Sequence, residues 1–302
     1  MMTRSRTLHL LLALAVAAAF SATCLTNALA DSSSIAQDEE AIRSAVGSLT
    51  EVVRGTYEMT KYGFCNDRYC LLGKYLQPDG SASTSETLKE GEHYVFIATC
   101  SDVFADVQIR VVDADGKTVG EDDSRAGWPL VAFDPPSTGK YTVTMKLTEA
   151  DESAFCALAI LRGNGVLLSS KVTYDALSRF ETAVSTVSEA FAKKNSSVAV
   201  CRWSGTWALM GSVGAPGAGM TMSGLSMETG RHVFVCIGDL GVREVNLSLL
   251  DSEKAVLKTD DDHKCVVMFQ YPTSSDVKYG LKTDIVKAPN GGLVLTGVLD
   301  AS

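Results

Sequence analysis

The chain repeats itself. Ile42, Val46, Leu49 and Val53 stand at helical spacing, and Phe180, Val184, Val187 and Phe191 occupy the same places 138 residues later. Each set makes one apolar stripe among charged and small residues, the pattern of a helix with a single face to bury. Ser34 and Gln37 are spaced as a capping box for the first helix, and Thr173 and Asp175 mark the opening of the second. This duplication constrains the fold more than any local signal, because whatever the first copy builds the second should build again.

Past the helices the repeat is written in strand signals. Leu88 to Cys100 aligns with Leu225 to Asp239, placing His93 on His232, and Ala105 to Asp123 aligns with Arg243 to Asp261, placing Asp113 on Asp251 and Asp122 on Asp260. Cys65 falls on Cys201, Gly73 on Gly211, Phe133 on Phe269, Pro136 on Pro272 and Tyr141 on Tyr279. Val107, Ile109 and Val111 alternate with Gln108 and Arg110, and Val245, Leu247 and Leu249 alternate with Asn246 and Ser248. Period two means strands with one buried face. Short strands separated by turns such as Asp115-Gly116 predict a mainly β chain: two tandem antiparallel β-sandwich domains, each preceded by an amphipathic helix. The expected boundaries are 31–162 and 172–302, joined at Arg162 to Ser170.

Arg4 and Arg6, the apolar run Leu8 to Phe20 and the small-residue site Ala28-Leu29-Ala30 read as a secretory signal peptide over residues 1–30. The run is shorter than the roughly 20 residues that a spanning helix needs. Ser21-Ala22-Thr23 before Cys24 is a poor lipoprotein signal, and no later stretch is apolar enough for stable membrane insertion. Removing residues 1–30 takes away two of 27 basic residues, none of 36 acidic ones and one of 8 cysteines, leaving a net charge of -11. Such a chain lacks the basic surface that nucleic acid or an anionic membrane requires. Exported, periplasmic or secreted to the cell surface, is the expected location.

Three stretches carry a family resemblance. Leu88, Gly91, Tyr94 and Phe96 are followed by Ala105 to Gly116, with its Asp113-x-x-Gly116, and by Thr138-Gly139-x-Tyr141-x-Val143-x-Met145. This order resembles the bacterial pre-peptidase C-terminal domain, a jelly-roll-like β-sandwich appended to secreted peptidases and similar to collagen-binding modules. The second copy keeps Gly230 and Tyr279 but has Glu253-Lys254 in place of Asp115-Gly116. The resemblance implies jelly-roll-like sandwiches and a binding or accessory role.

Seven cysteines remain after residue 30, an odd number in a compartment that permits disulfides. If the copies share a bridge, Cys201 to Cys236 repeats Cys65 to Cys100, with Cys70 to Cys156 in addition; the alternative is Cys65 to Cys70 with Cys100 to Cys156. Cys265 has no counterpart and is the candidate free thiol or intermolecular link. Neither cysteines nor histidines show zinc-site spacing. Asp113, Asp115, Asp122 and Asp123, and Asp260 and Asp261 in the second copy, are candidate calcium ligands, although Asp-Gly hairpins explain the same residues. No other cofactor is expected. Trp203 and Trp207, with Trp128, are candidate sugar-stacking faces, or else core. Asn195 and Asn246 head glycosylation-type triplets. No nucleophile elbow, metalloprotease helix or phosphate loop occurs, so the expected function is non-catalytic recognition of an extracytoplasmic protein or polysaccharide. A structural envelope protein, or a hydrolase using the Asp122 and Asp260 carboxylates, is the alternative.

Overall fold

The computed structural model describes residues 34–302 apart from Ala126, Asn195 and Ser204. The signal segment with Cys24, and the acceptor Asn195, lie outside these residues. In chain order the first half holds α1 (Ser34–Thr60), β1 (Tyr62–Phe64), β2 (Tyr69–Leu76), β3 (Ser81–Leu88), β4 (Tyr94–Cys100), β5 (Asp106–Val112), β6 (Thr118–Asp122), β7 (Leu130–Phe133), β8 (Gly139–Thr148) and β9 (Ala154–Gly163). The second holds α2 (Ser170–Ala192), β10 (Val198–Val200), β11 (Leu209–Gly214), β12 (Gly219–Ser226), β13 (Gly230–Gly238), β14 (Glu244–Leu250), β15 (Val256–Lys264), β16 (Val266–Thr273), β17 (Lys278–Lys287) and β18 (Gly292–Ala301). One helix followed by nine strands thus occurs twice. The helix α2 opens earlier than Thr173 and Asp175 imply, with the Ser169 side chain accepting the Val172 amide as its cap.

The fold is mainly β, and every named strand pairing is antiparallel. Two four-stranded sheets, β3-β8-β5-β6 and β12-β17-β14-β15, pack against one ten-stranded sheet of order β16-β13-β18-β11-β2-β9-β4-β7, with β1 beside β9 and β10 beside β18. Burial fixes the layers. Every residue of β2 and β4 is buried, so both faces of the large sheet are covered, whereas β8 alternates between buried and half-buried positions. The helices cover the large sheet on the side away from the four-stranded sheets, α1 against β4 and β9, α2 against β13 and β18, and each against the other. The stripe residues Ile42, Val46, Leu49, Phe180 and Val184 are all buried there.

The two sandwiches share their inner sheet rather than standing apart. Strand β2 pairs with β11, with Leu72 opposite Met210 at the centre of the register. Those residues are 138 apart, so the same position of each copy meets itself across a pseudo-twofold axis, as in an isologous dimer interface. The flanking pairs are reciprocal: Gly73 faces Leu209 and Gly211 faces Leu71. A Cβ on Gly73 would stand 2.5 Å from the Phe155 ring and 3.3 Å from the Leu209 Cβ, and one on Gly211 would stand 3.0 Å from the Leu71 Cβ. Glycine is needed at both places because Phe155 and Leu209 fill the space at Gly73, and Leu71 and Leu295 that at Gly211.

Strand pairing also corrects the sequence alignment. His232 lies opposite Asp300, and Tyr94 lies opposite Arg162, so His232 corresponds to Tyr94 rather than to His93. Likewise Phe269 pairs with Phe234 as Val131 pairs with Phe96, a slip of two residues from the Phe133 match. The two-residue slip at Phe133 leaves the inward-facing pattern unchanged, so alternation cannot reveal it, whereas the slip at His93 is a single residue and exchanges faces.

All seven described cysteines are free thiols, and the register does not fit the shared-bridge scheme of Cys65 to Cys100, Cys70 to Cys156 and Cys201 to Cys236, whereas the alternative scheme keeps Cys100 opposite Cys156. Cys65 bonds by its amide to Ile160 of β9, while Cys100 pairs with Cys156 on the other side of the same strand. Four residues of strand separate these places by about 13 Å. Cys70 next to Leu71, which faces Ala159, is similarly distant from Cys156, which faces Lys74. Cys201 and Cys236 flank β18 on opposite edges, two strand spacings or about 9.5 Å apart. Bridging needs Cα atoms within about 7 Å.

Candidate functional site

The predicted aspartates build turns. Asp113 accepts the amides of Asp115 at 3.0 Å and Lys117 at 2.9 Å, and Asp251 repeats this with Glu253 at 2.9 Å and Ala255 at 2.8 Å. Asp122 accepts the Ser124 amide and, at 2.9 Å, the Leu130 amide; Asp260 accepts the Met268 amide at the same distance. These carboxylates fasten the β6–β7 and β15–β16 connections. Asp115, Asp123 and Asp261 add no convergence: among the described residues no group of three or more His, Cys, Asp or Glu side chains is placed to hold a metal ion. Asp122 and Asp260 lie in different outer sheets, on the strands farthest from the seam, so they share no site as a hydrolytic pair would.

Trp207 is 4% exposed, within the core, so no sugar can stack on it. Trp203 is half-buried, packs on the core, and its carbonyl accepts a 2.7 Å bond from Lys74. Asn246 stands in the middle of β14 with its Oδ1 buried, not on a loop that a glycan would need. His93 is exposed and paired with Asp134 at 2.6 Å.

Sequence reasoning missed a polar cluster at the junction of the halves. Lys74 on β2 is buried and donates to the carbonyls of Trp203 and Thr206, each at 2.7 Å, with no carboxylate partner among the described residues. Burial pushes its ammonium down to about 8. Asp38 of α1 is fully buried and holds Arg202 at 2.6 Å, whose guanidinium lies 3.8 Å over the Tyr75 ring. His232 sits 2.9 Å from Asp300; burial works against its cation, but Asp300 and the Glu228 carbonyl outweigh it and raise its pKa. Cys201 beside them is pushed up to about 12 by burial, so it is a protonated thiol rather than a nucleophile. Lys74 and Asp38 thus tie the first half to the 202–206 segment of the second, while His232 and Asp300 join β13 to β18 within the second half.

The accessible feature at the same junction is a cleft of about 590 Å³. One wall is the connection between β9 and α2, Val166 to Ser169, continuing into Val172; the other is the Asp239–Gly241 turn with Asn290–Gly292, and Val213 and Gly214 lie between. Leu168 and Val213 are buried, while Leu167 is 38% and Leu240 66% exposed. The second wall is rigid, because the buried Asp239 carboxylate accepts the amides of Gly241 at 2.6 Å, Val242 at 3.1 Å and Leu293 at 2.9 Å. Lys171 and Asp175 at the rim neutralise each other at 2.8 Å. Asn66, at one end, accepts a hydrogen bond from Arg162, which lines a second, polar depression of about 330 Å³ with Glu92 and His93. The cleft is thus aliphatic inside and polar only at its edges, with a volume in the usual range for ligand pockets. Leu240 and the Gly-Gly turn at Gly291 gave no motif; the signal available in sequence was the apolar Val166-Leu167-Leu168 inside an expected linker.

No protein-family model and no curated protein matches the chain. Solved structures are similar over parts of it. The pre-peptidase C-terminal domain of a collagenase from Bacillus anthracis is 6% identical, covering 31% of this chain and 89% of that one at a TM-score of 0.27. The periplasmic inhibitor of g-type lysozyme from Aeromonas hydrophila is 14% identical, covering 32% and 90% at 0.24. The tandem CBM51 modules of a family 98 glycoside hydrolase from Streptococcus pneumoniae are 11% identical, covering 75% and 82% at 0.24. At these scores no family or function passes from them to this chain. No helix among the described residues is long and apolar enough to cross a membrane.

Proposed function

We propose that this chain is an exported, non-catalytic binding protein that receives an aliphatic segment of an extracytoplasmic protein in the cleft between its halves. The cleft carries the proposal: an apolar opening, one wall of it braced by Asp239, with Leu167 and Leu240 exposed in it is a feature that hydration disfavours unless a partner covers it. Its lining is aliphatic, without the aromatic faces on which sugar rings stack, and this favours a protein ligand over a polysaccharide. Export rests on the segment 1–30, and a mature N-terminus at Asp31 is the expected result of N-terminal sequencing. The pre-peptidase C-terminal resemblance of the first-half motifs points the same way, toward an accessory module.

Affinity capture with residues 31–302 tests the reading. A saturable protein partner held by the native sequence and weakened tenfold or more by Leu240→Asp, at unchanged thermal stability, is expected. Equal capture by both, or turnover of a substrate dependent on His93 or His232, contradicts it.

A further inference from the structure

Cys100 and Cys156 stand directly opposite each other on β4 and β9. The Ser101 amide donates to the Phe155 carbonyl at 2.8 Å, which makes Cys100 and Cys156 a non-hydrogen-bonded pair of the ladder. At such pairs the Cα atoms are about 4.5 Å apart and the side chains lean together, within the span that a disulfide closes. Among the described residues no other pair of cysteines shares a ladder position. We propose that Cys100 and Cys156 are a redox-convertible dithiol that an external disulfide oxidises to a cross-strand bond between β4 and β9.

The facing thiols act on each other, the Cys156 thiol holding Cys100 below its ordinary value of 9.0 and Cys100 holding Cys156 well above it, while Cys100 Sγ donates to the Asp102 carbonyl at 2.9 Å and Cys156 Sγ to the Ala154 carbonyl at 3.7 Å. Access differs in the same sense. Cys100 is 9% exposed and adjoins the Ser101–Ala105 loop, where Phe104 is 91% exposed, whereas Cys156 is fully buried. Cys100 is therefore the attacking group. Its thiolate displaces one sulfur of the external disulfide as a thiolate; the Cys156 thiol then loses its proton and attacks the Cys100 sulfur, releasing the second thiolate. The protein gives up two electrons and two protons, and the external disulfide becomes two thiols. The second half has Gly238 and Val294 at these positions, so the device belongs to the first half alone. Closure pins the base of the Phe104 loop to β9.

The test uses the full 31–302 chain carrying Cys265→Ser, with oxidised glutathione as the oxidant. Expected are loss of two hydrogens, one cross-linked peptide joining Cys100 to Cys156, and slower proteolytic cutting between Ser101 and Ala105. In Cys156→Val, which copies the second half, oxidation should stop at a glutathione adduct on Cys100. Both thiols still open to maleimide after oxidation, a bond between any other pair, or a Cys156→Val chain without the adduct overturns the proposal.

Discussion

Arg43 and Glu181 hold the same position in the two copies, 138 residues apart, and they pair with each other across the axis that relates the helices. The guanidinium meets both carboxylate oxygens, one bond being 2.9 Å, and the Glu181 side chain is 8% exposed. A symmetric ancestor would set like charge against like at this place, so the opposite charges suit a single chain. Because Arg43 is 57% exposed, solvent screens the pair, and Arg43→Ala should cost about 1 kcal/mol, mainly by leaving Glu181 unpaired. Arg43→Glu should cost more, and the exchange Arg43→Glu with Glu181→Arg should restore most of it. Urea denaturation of the four chains measures the coupling.

The seam between β2 and β11 depends on two small residues. Gly73→Val puts a branched side chain against Phe155 and Leu209, and should destabilise by about 2–4 kcal/mol through overpacking. Gly211→Val should do the same against Leu71 and Leu295. If the halves fold as one cooperative unit, each change shifts a single unfolding transition; calorimetry reads this directly.

Lys254 replaces Gly116 in the repeated hairpin and carries a left-handed backbone, φ 68° against 78° for the glycine. A side chain is strained there. Lys254→Gly should therefore stabilise the protein by about 0.5–1 kcal/mol, read as a higher denaturant midpoint.

Lys74 gives the fold a specific pH dependence. Its folded pKa, about 8, lies below the ordinary 10.5, so the unfolded chain binds more protons between these values. This contribution is fully present above pH 10.5 and is lost as pH falls through 8. The buried Cys65, Cys201 and Cys236 thiols, raised to about 12, act in the opposite direction above pH 9, so a difference measurement is needed. Relative to Lys74→Met, the native chain should gain stability between pH 8 and 10.5. A parallel pair of curves contradicts this placement of Lys74.

Much of the fold was legible because the repeat and the strand alternation report burial, and burial is what orders the layers. Val107, Ile109 and Val111 face inward as their spacing requires. What the pattern could not carry was register between distant strands, which put Tyr94 rather than His93 opposite the end of β9 and separated Cys65 from Cys100, Cys70 from Cys156 and Cys201 from Cys236. The seam was hidden for a related reason: Gly73 and Gly211 matched in the alignment, but nothing local says that their neighbours are each other's leucines. The cleft was less legible still, since its lining residues come from separate turns such as Asp239–Gly241 and Asn290–Gly292, and its exposed Leu240 stands alone in sequence.

The most direct test of the binding account places a photo-crosslinking amino acid at position 240 and, as a control, at Thr144 on the outward face of β8. Irradiation in the native envelope and secreted fractions should give a discrete protein adduct at 240 that free native chain competes away, and none at 144. Equal labelling at both positions, or an adduct only at 144, would mean that the cleft is not where this protein meets its partner.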